Sequence, residues 1–332
     1  MAVFGLGDVR LHRVDSNGRT PLISVILPTH NRANVLPRAM RSVLSQTYEN
    51  IELIVIDDCS VDETEIVVKS FDDPRLLYVR SEENIGGSAA RNRGLDIARG
   101  EFIAFQDDDD EWLPQKLAKQ VEVFLSGPPN LGLVYTGTIY VQDGVESRNV
   151  PRHRGMIYGL QLKEDHIFST PTWMVKNICF KDERVGTFDE NLPARQDYEM
   201  SLRLSKHYAI DFCDLCLLRV YIDNESCISN DTKKRVAGHL MVLDKINTSV
   251  EMSAFKRRMV NSSHYYSIAR YYQARRAILE SKKYLRMALK QWPLNIRALV
   301  FHLLFSMGDE DTRVYKALER LKKTLERRRL YN

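Results

Sequence analysis

The chain of 332 residues has few cysteines and no long apolar run. Its five cysteines are odd in number and scattered, and no basic segment followed by an apolar one opens the chain, so neither a disulfide framework nor export is expected. The most apolar late stretch, residues 296–307, is interrupted by Arg297 and His302 and is much shorter than the roughly 20 residues that span a bilayer. These absences predict a reduced, cytoplasmic protein without a transmembrane helix.

The sequence also lacks the glycine-rich loops that bind nucleotide phosphates. It contains no GxxxxGK[ST] segment, and no GxGxxG follows the first apolar run, residues 22–27. An ATPase or a dinucleotide-binding enzyme would therefore be without its usual phosphate-binding loop. If this chain binds a phosphate group, we expect a metal ion to neutralise the phosphate charge.

The charge of the chain is divided unevenly along its length. The net charge is +4, but residues 231–332 hold 23 Lys and Arg against 9 Asp and Glu, whereas residues 1–230 hold 25 against 35. An acidic region is thus followed by a basic one, and the two regions are expected to have different partners.

Short apolar runs alternate with segments of helical spacing from residue 21 to about residue 105. The predicted strands are 22–27, 51–56, 76–79 and 102–105, and the predicted helices are 34–46, 62–71 and 88–98. This β-α-β-α-β-α-β order is typical of an α/β fold with a doubly wound parallel sheet. Further strands are predicted at 132–141 and 209–221 and a helix at 196–207, and from about residue 232 only helices are predicted.

Five adjacent carboxylates, Asp107 to Glu111, follow the predicted strand 102–105 and precede Trp112. We call these five residues the acidic run. Such crowding is unfavourable unless solvent, a cation or basic side chains compensate it, and Mg²⁺ or Mn²⁺ with oxygen ligands would do so. The alternative is an acidic start to the next helix, because helix N-termini favour acids.

Other polar clusters also follow predicted strands and so lie at the same edge of the sheet. Open α/β sheets bind ligands at this edge, the carboxyl ends of their strands. Asp57 and Asp58 end a neighbouring strand, and Arg32, Arg91 and Asn92 supply donors for a phosphate or a base. Together these clusters favour the metal interpretation of the acidic run.

Several segments, taken together and in order, resemble the inverting family 2 glycosyltransferases of the GT-A fold. They are SVILPTHNR at 24–32, SVLSQTY at 42–48, ELIVIDDCSVD at 52–62, NIGGSAARNRG at 84–94, the acidic run with Trp112, VGTFDE at 185–190 and QDYE at 196–199. The resemblance extends from residue 22 to about residue 229. It implies a Rossmann-like, mostly parallel sheet flanked by helices in a catalytic domain at 21–230. Residues 1–20 lack hydrophobic periodicity and are predicted to be an irregular lead-in, and residues 231–332 are predicted to be a basic helical extension.

The resemblance implies roles for individual residues. Asp197 matches the catalytic base, and Asp109 matches the ligand of a divalent ion, Mg²⁺ or Mn²⁺, with Asp107 and Asp223 as further metal candidates. The acceptor site is assigned to Trp173 and Gln196, although a core position for Trp173 is an equal alternative. The implied nucleotide-binding residues are Pro28, Thr29, His30, Arg32, Asp57, Asp58, Arg91, Asn92 and Asp107.

The chain departs from many members of the family at three positions. His30 replaces a tyrosine, Gln196 replaces a glutamate before the base, and no histidine occurs in 221–226, where relatives often complete the metal shell. Asp223 is the candidate replacement for that histidine.

The resemblance implies transfer of a sugar, from a UDP-sugar by expectation, to a saccharide or lipid-linked acceptor in surface polysaccharide or glycolipid assembly. The basic tail is expected to place the enzyme on an anionic membrane at its inner face, with a solvated basic surface as the alternative and nucleic acid not expected. Two other functions remain open: a non-catalytic nucleotide-sugar or membrane-binding module with the same fold, and a sugar nucleotidyltransferase. The second would be expected to have a glycine-rich basic loop after Leu27, which the sequence lacks.

Overall fold

The computed structural model describes residues 20–222 and 231–306. The chain divides into two compact units, with the boundary between Asp231 and Thr232. The first unit is a mixed α/β structure, and the second consists of helices in its described part.

The first half of the α/β unit is a four-stranded parallel sheet with its helices. The strands lie in the order β3-β2-β1-β4, and all three of their pairings are parallel. The elements are β1 (Ile23–Thr29), α1 (Leu36–Leu44), β2 (Ile51–Asp57), α2 (Thr64–Lys69), β3 (Leu76–Arg80), α3 (Gly86–Ile97) and β4 (Phe102–Phe105). The predicted order of strands and helices is confirmed in this half.

The central strands are buried along almost their whole length. Every residue of β2 and β4 is buried, as expected of parallel strands covered on both faces. Helix α3 packs so closely on β1 at Gly94 that only glycine fits there. A Cβ atom at this position would be only 2.5 Å from Cγ2 of Ile26. This contact fixes α3 against β1 and so positions the start of α3 at the carboxyl edge of the sheet.

The second half of the sheet is mixed rather than parallel. Beyond β4 the order continues β8-β6-β9-β5, with β7 paired to β6, and only the β6–β9 pairing is parallel. Its strands are β5 (Glu111–Trp112), β6 (Leu131–Gln142), β7 (Val145–Asn149), β8 (Trp173–Lys176) and β9 (Ala209–Tyr221). The helices of this half are α4 (Lys116–Ser126), α5 (Tyr158–Gln161), α6 (Asn177–Lys181) and α7 (Gln196–His207).

The end of the acidic run does not begin a helix, so that interpretation of Asp110 and Glu111 is wrong. Glu111 and Trp112 form β5, which pairs with β9 in antiparallel fashion, and α4 begins only at Lys116. The carboxylate of Glu111 accepts a hydrogen bond from Tyr221 Oη at 2.5 Å. Tertiary pairing to a distant strand thus overrides the local preference of acids for a helix start.

The second unit contains the described helices α8 (Thr232–Ser249), α9 (Ala254–Ala274), α10 (Ile278–Gln291) and α11 (Ile296–Ser306). A small core of Ala269, Leu285, Ala288, Ala298 and Phe301 joins α9, α10 and α11. Within residues 20–222 and 231–306, no helix is both long and apolar enough to cross a bilayer.

Lys116 is fully buried beneath the segment that carries the acidic run. Its Nζ lies 3.9 Å from the ring centroid of Trp112 and donates to Gln120 Oε1 at 2.9 Å. Burial lowers the pKa of Lys116 well below its usual value of 10.5. In the pH range between the lowered pKa and 10.5, the unfolded chain therefore binds a proton that the folded chain does not.

This difference predicts a pH-dependent stability term that Lys116→Met removes. As pH rises from 7.5 to 10, wild type should gain stability relative to Lys116→Met by up to about 1.4 kcal/mol per pH unit. Urea unfolding at both pH values measures the difference. Lys119→Met, which removes the partly exposed ion pair to Glu122, is the matched control: it keeps Lys116 and should show the same pH dependence as wild type. Equal pH dependence of wild type and Lys116→Met would contradict the prediction.

Candidate active site

The carboxyl ends of β1, β2 and β4 lie side by side at one edge of the sheet. The register pairs Thr29 at the end of β1 with Asp57 at the end of β2, and Ile26 with Phe105 at the end of β4. The polar segments that follow these strands therefore converge, as the sequence predicted.

Asp57 and Asp58 are both buried and build the frame of the site. Asp57 accepts from Tyr78 Oη at 2.5 Å and from the Ser60 backbone N–H at 2.8 Å. Asp58 accepts from the backbone N–H groups of Ile85 at 2.7 Å and Gly86 at 2.9 Å, at the N-terminus of α3. A carboxylate at that position satisfies two helix donors and favours the helix dipole.

Three further predicted nucleotide residues lie at the end of β1: half-buried Pro28 and buried Thr29 within the strand, and His30 directly after it. His30 is exposed, and its Nδ1 lies 2.6 Å from the backbone oxygen of Asp58. Thr29 is buried, and its Oγ1 donates to Asp108 Oδ2 at 2.8 Å. The Thr29–Asp108 bond joins the end of β1 to the acidic run.

Arginines neutralise part of the acidic run. Arg91 Nη2 on α3 lies 2.7 Å from Asp107 Oδ1, and Arg32 Nη1 lies 3.3 Å from Asp109 Oδ2. Arg38 Nη2 on α1 donates to the backbone oxygen of Asp109 at 2.5 Å. The Asp107 and Asp109 side chains keep about a third of their surface exposed, at 33% and 30%, so both remain open to a ligand.

Burial and neighbouring negative charge raise the pKa values of two acids in the run. Burial, together with the neighbouring charge of Asp109, raises the pKa of Asp108 to about 7, against the hydrogen bond from Thr29. Burial also raises the pKa of Asp107, to which the charges of Asp109 and Asp197 contribute while Arg91 opposes them. The acids of the run are thus harder to ionise together than isolated carboxyl groups are.

Asp197 lies in the first turn of α7 and is half-buried. Its Oδ1 accepts from the backbone N–H of Tyr198 at 2.7 Å, and the neighbouring Gln196 donates from Nε2 to the backbone oxygen of Leu192 at 2.9 Å. Arg195, directly before the helix, has a left-handed backbone with φ of 67° and an ion pair of 3.2 Å to Asp165.

Trp173 and Asn92 lie where the structure uses them for internal contacts. Trp173 has no exposed surface and its Nε1 donates to Phe168 O at 2.5 Å, so the core alternative describes its position and no face is open to stack on a sugar. Asn92 donates to Phe188 O and Glu190 Oε1 and accepts from Phe188 N–H, so its amide holds the loop at 188–190 instead of facing a ligand.

The oxygen donors of the acidic run suit a hard divalent cation. Asp107 and Asp109 present partly exposed carboxylates whose mutual repulsion a cation would relieve. Across residues 20–222 and 231–306, no group of three or more His, Cys, Asp or Glu side chains is placed to hold a metal. Among the described residues, Asp107 and Asp109 are thus the candidate ligands of such a cation, and the candidate Asp223 lies outside the described residues.

The sequence analysis missed three residues of the site, Arg38, Asp165 and Arg195. Arg38 contacts the acidic run from α1, and its guanidinium also lies 3.9 Å from the ring centroid of Tyr221. Asp165 and Arg195 meet across thirty residues of chain, and only the position of Arg195 beside the predicted base pointed to it.

Comparison with known proteins identifies the family. The model of glycosyl transferase family 2 matches residues 24–200. The chain belongs to glycosyl transferase family 2. The putative colanic acid biosynthesis glycosyl transferase WcaA of Escherichia coli (strain K12) is a 34% identical family relative, matched over 57% of this chain and 67% of its own length.

A second relative shares a shorter stretch with this family 2 chain. The UDP-Glc:alpha-D-GlcNAc-diphosphoundecaprenol beta-1,3-glucosyltransferase WfgD of Escherichia coli is 40% identical over 114 residues. That match covers 34% of this chain and 44% of WfgD.

Two solved structures share the GT-A fold of this family 2 chain. S. aureus TarS 1-349 in complex with UDP-GlcNAc superposes with a TM-score of 0.61 at 20% identity, over 80% of this chain and 79% of TarS 1-349. Mannosyltransferase PcManGT from Pyrobaculum calidifontis, in complex with GDP-Man and Mn2+, also gives 0.61, at 18% identity over 92% and 85% of the two chains. The predicted fold class is therefore confirmed.

The hydrogen bonds of Asp58 predict a structural role for it that is separate from any ligand. Asp58→Ala leaves two N–H groups at the start of α3 without their acceptor and should lower the free energy of unfolding by about 1–2 kcal/mol. Urea unfolding measures the loss. Glu82→Ala, an exposed acid in the preceding loop, is the control and should be neutral within about 0.5 kcal/mol. A fully stable Asp58→Ala would contradict the assignment.

Proposed function

We propose that this family 2 chain is an inverting glycosyltransferase that moves a sugar from a nucleotide-sugar donor to a saccharide or lipid-linked acceptor. One observation carries the proposal: the partly exposed carboxylates of Asp107 and Asp109 lie at the carboxyl edge of the sheet, 2.7 Å from Arg91 Nη2 and 3.3 Å from Arg32 Nη1, where a diphosphate and its cation would find both charges. A binding module needs no carboxylate at the position of Asp197, which favours an enzyme over a non-catalytic module.

Exposed residues of the site would contact the donor, and buried residues would support them. His30, Arg32, Arg91 and Asp107 are at least partly exposed and would contact the nucleotide and its phosphates, together with half-buried Pro28. Thr29, Asp57, Asp58 and Asn92 are buried and would keep those contacts in place. A Mg²⁺ or Mn²⁺ ion held by Asp109, with Asp107 beside it, would stabilise negative charge on the leaving diphosphate.

Asp197 would act as general base on the acceptor side, beside Gln196. Its carboxylate takes the proton of the acceptor hydroxyl while that oxygen forms a bond to the anomeric carbon of the donor. The bond from that carbon to the diphosphate breaks at the same time, and its electron pair leaves with the nucleoside diphosphate. Attack from the face opposite the leaving group inverts the anomeric configuration.

The substrate class follows from the relatives. WfgD is named for a UDP-glucose donor and a diphosphoundecaprenol acceptor, and TarS was solved with UDP-GlcNAc. WcaA is named for colanic acid biosynthesis. We therefore propose a UDP-sugar donor and a role in surface polysaccharide or glycolipid assembly in the cytoplasm.

The first experiment is a thermal-shift screen of UDP-, GDP- and dTDP-sugars with Mn²⁺ or Mg²⁺, followed by measurement of nucleoside diphosphate release. Stabilisation by a nucleotide sugar with slow release of the diphosphate is expected. If no nucleotide sugar stabilises the protein, the proposed function is wrong. Stabilisation without release, even in the presence of acceptor saccharides, would instead support the non-catalytic module.

Two isosteric variants should separate donor binding from chemistry. Asp109→Asn removes a charged metal ligand and should weaken Mn²⁺-dependent donor binding by about tenfold or more. Asp197→Asn removes the base and should lower kcat by about 100-fold or more while donor Kd changes little. Calorimetric titration with UDP-glucose and UDP-GlcNAc and a diphosphate-release assay measure the two effects. Full turnover by Asp197→Asn would refute the base assignment. If donor binding by Asp109→Asn depends on Mn²⁺ as it does in wild type, the metal assignment is refuted.

We further propose that the basic second unit binds the inner face of an anionic membrane. Lys283, Arg286 and Lys290 are exposed and recur on one side of α10. Vesicles containing phosphatidylglycerol should co-sediment the full chain, and replacing these three residues by Glu should weaken binding markedly. The same change at exposed Arg148, Lys181 and Lys206 of the first unit is the control. Sedimentation independent of anionic lipid would refute the proposal.

A further inference from the structure

The turn before α7 is conformationally demanding and determines where Asp197 lies. Arg195 has φ of 67°, in the left-handed region that residues with a Cβ adopt only at a cost. Gln196 and Asp197 follow it directly as the first residues of α7. A change of the Arg195 backbone would therefore redirect the first turn of the helix and the Asp197 carboxylate with it.

An ion pair links the Arg195 side chain to another segment of the first unit. Arg195 Nη2 lies 3.2 Å from Asp165 Oδ2, and the two side chains are only 12% and 18% exposed. The Arg195 guanidinium also lies 4.8 Å from the ring centroid of Tyr198, one turn into α7. An ion pair this well shielded from solvent has a defined geometry, unlike most surface pairs.

The segment that carries Asp165 is itself fastened to α7. Gln161, which is fully buried, donates from Nε2 to Ser201 Oγ at 2.8 Å, and its backbone oxygen accepts from Tyr198 Oη at 2.5 Å. Asp165 Oδ1 accepts from the backbone N–H of Ile167 at 3.3 Å. The carboxylate that holds Arg195 is thus anchored to the same helix whose start it orients.

Asp165 also belongs electrostatically to the site of Asp197. Burial raises the pKa of Asp165 to about 7, Arg195 opposes that rise, and the charge of Asp197 adds to it. Arg195 thus offsets part of the unfavourable negative charge at Asp165.

We propose that Asp165 and Arg195 are positioning residues for Asp197: their ion pair holds the left-handed turn that directs the base toward the acceptor side of the site. This inference rests on the proposed role of Asp197. It assigns to Asp165 a function that its distance of thirty residues from the motif gives no reason to expect.

The test compares three variants by steady-state kinetics with UDP-glucose and UDP-GlcNAc in the presence of Mn²⁺. Asp165→Asn and Arg195→Ala should each lower kcat by about 10- to 100-fold, because a small displacement of a reacting group costs that much, while the donor KM stays within about twofold. Arg195→Gly should retain more activity than Arg195→Ala, because glycine adopts a positive φ without strain. Arg203→Ala, which breaks the Glu199–Arg203 pair on the same helix, is the matched control and should leave kcat nearly unchanged.

A second measurement does not depend on turnover. Hydrogen exchange of the amides at 194–200 should be faster in Asp165→Asn than in wild type and unchanged in Arg203→Ala. If wild type releases no nucleoside diphosphate from any nucleotide sugar, the proposed function fails, and exchange alone decides whether the ion pair holds the turn. If wild type is active but Asp165→Asn and Arg195→Ala keep full kcat and normal exchange, the positioning inference is overturned. Equal losses in Arg195→Gly and Arg195→Ala would also overturn it, since the arginine charge and not the turn would then matter.

Discussion

The structure depends on one constraint, the repulsion between acids that parallel strands bring to the same edge. Asp57 and Asp58 after β2 and the acidic run after β4 converge because their strands flank β1. Such an edge is stable only when donors surround it. Backbone amides of α3 bind Asp58, while Arg91 and Arg32 pair with Asp107 and Asp109.

The compensation separates two kinds of acid. The carboxylates of Asp57 and Asp58 are buried and accept hydrogen bonds from protein donors, so these two residues belong to the frame of the site. Asp107 and Asp109 are satisfied only in part and remain about a third exposed. A ligand that brings positive charge, or that draws the arginines toward its phosphates, completes the balance at these two positions. The proposed positioning of Asp197 would follow the same principle, since the ion pair of Arg195 partly neutralises Asp165.

Elements with a local sequence signal were the ones predicted correctly. Buried β-branched runs and helical spacing predicted the parallel half of the sheet, since each element there carries its own periodicity. The mixed half was harder, because β5 has two residues and β8 has four, and both depend on pairing with distant strands. Glu111 illustrates the difference: its chemistry suits a helix start, yet its partners are Arg219 and Tyr221 on β9.

For the site, the amino-acid sequence alone determined the family, the convergence of the acids at one edge and the candidates Asp109 and Asp197, because motif order and strand ends are properties of the linear chain. Only the tertiary structure decided which candidates face a ligand. It buried Trp173 and used the amide of Asn92 to hold a loop, and it joined Asp165 to Arg195. Exposure and side-chain pairing arise from contacts between segments far apart in sequence, and no local pattern records them.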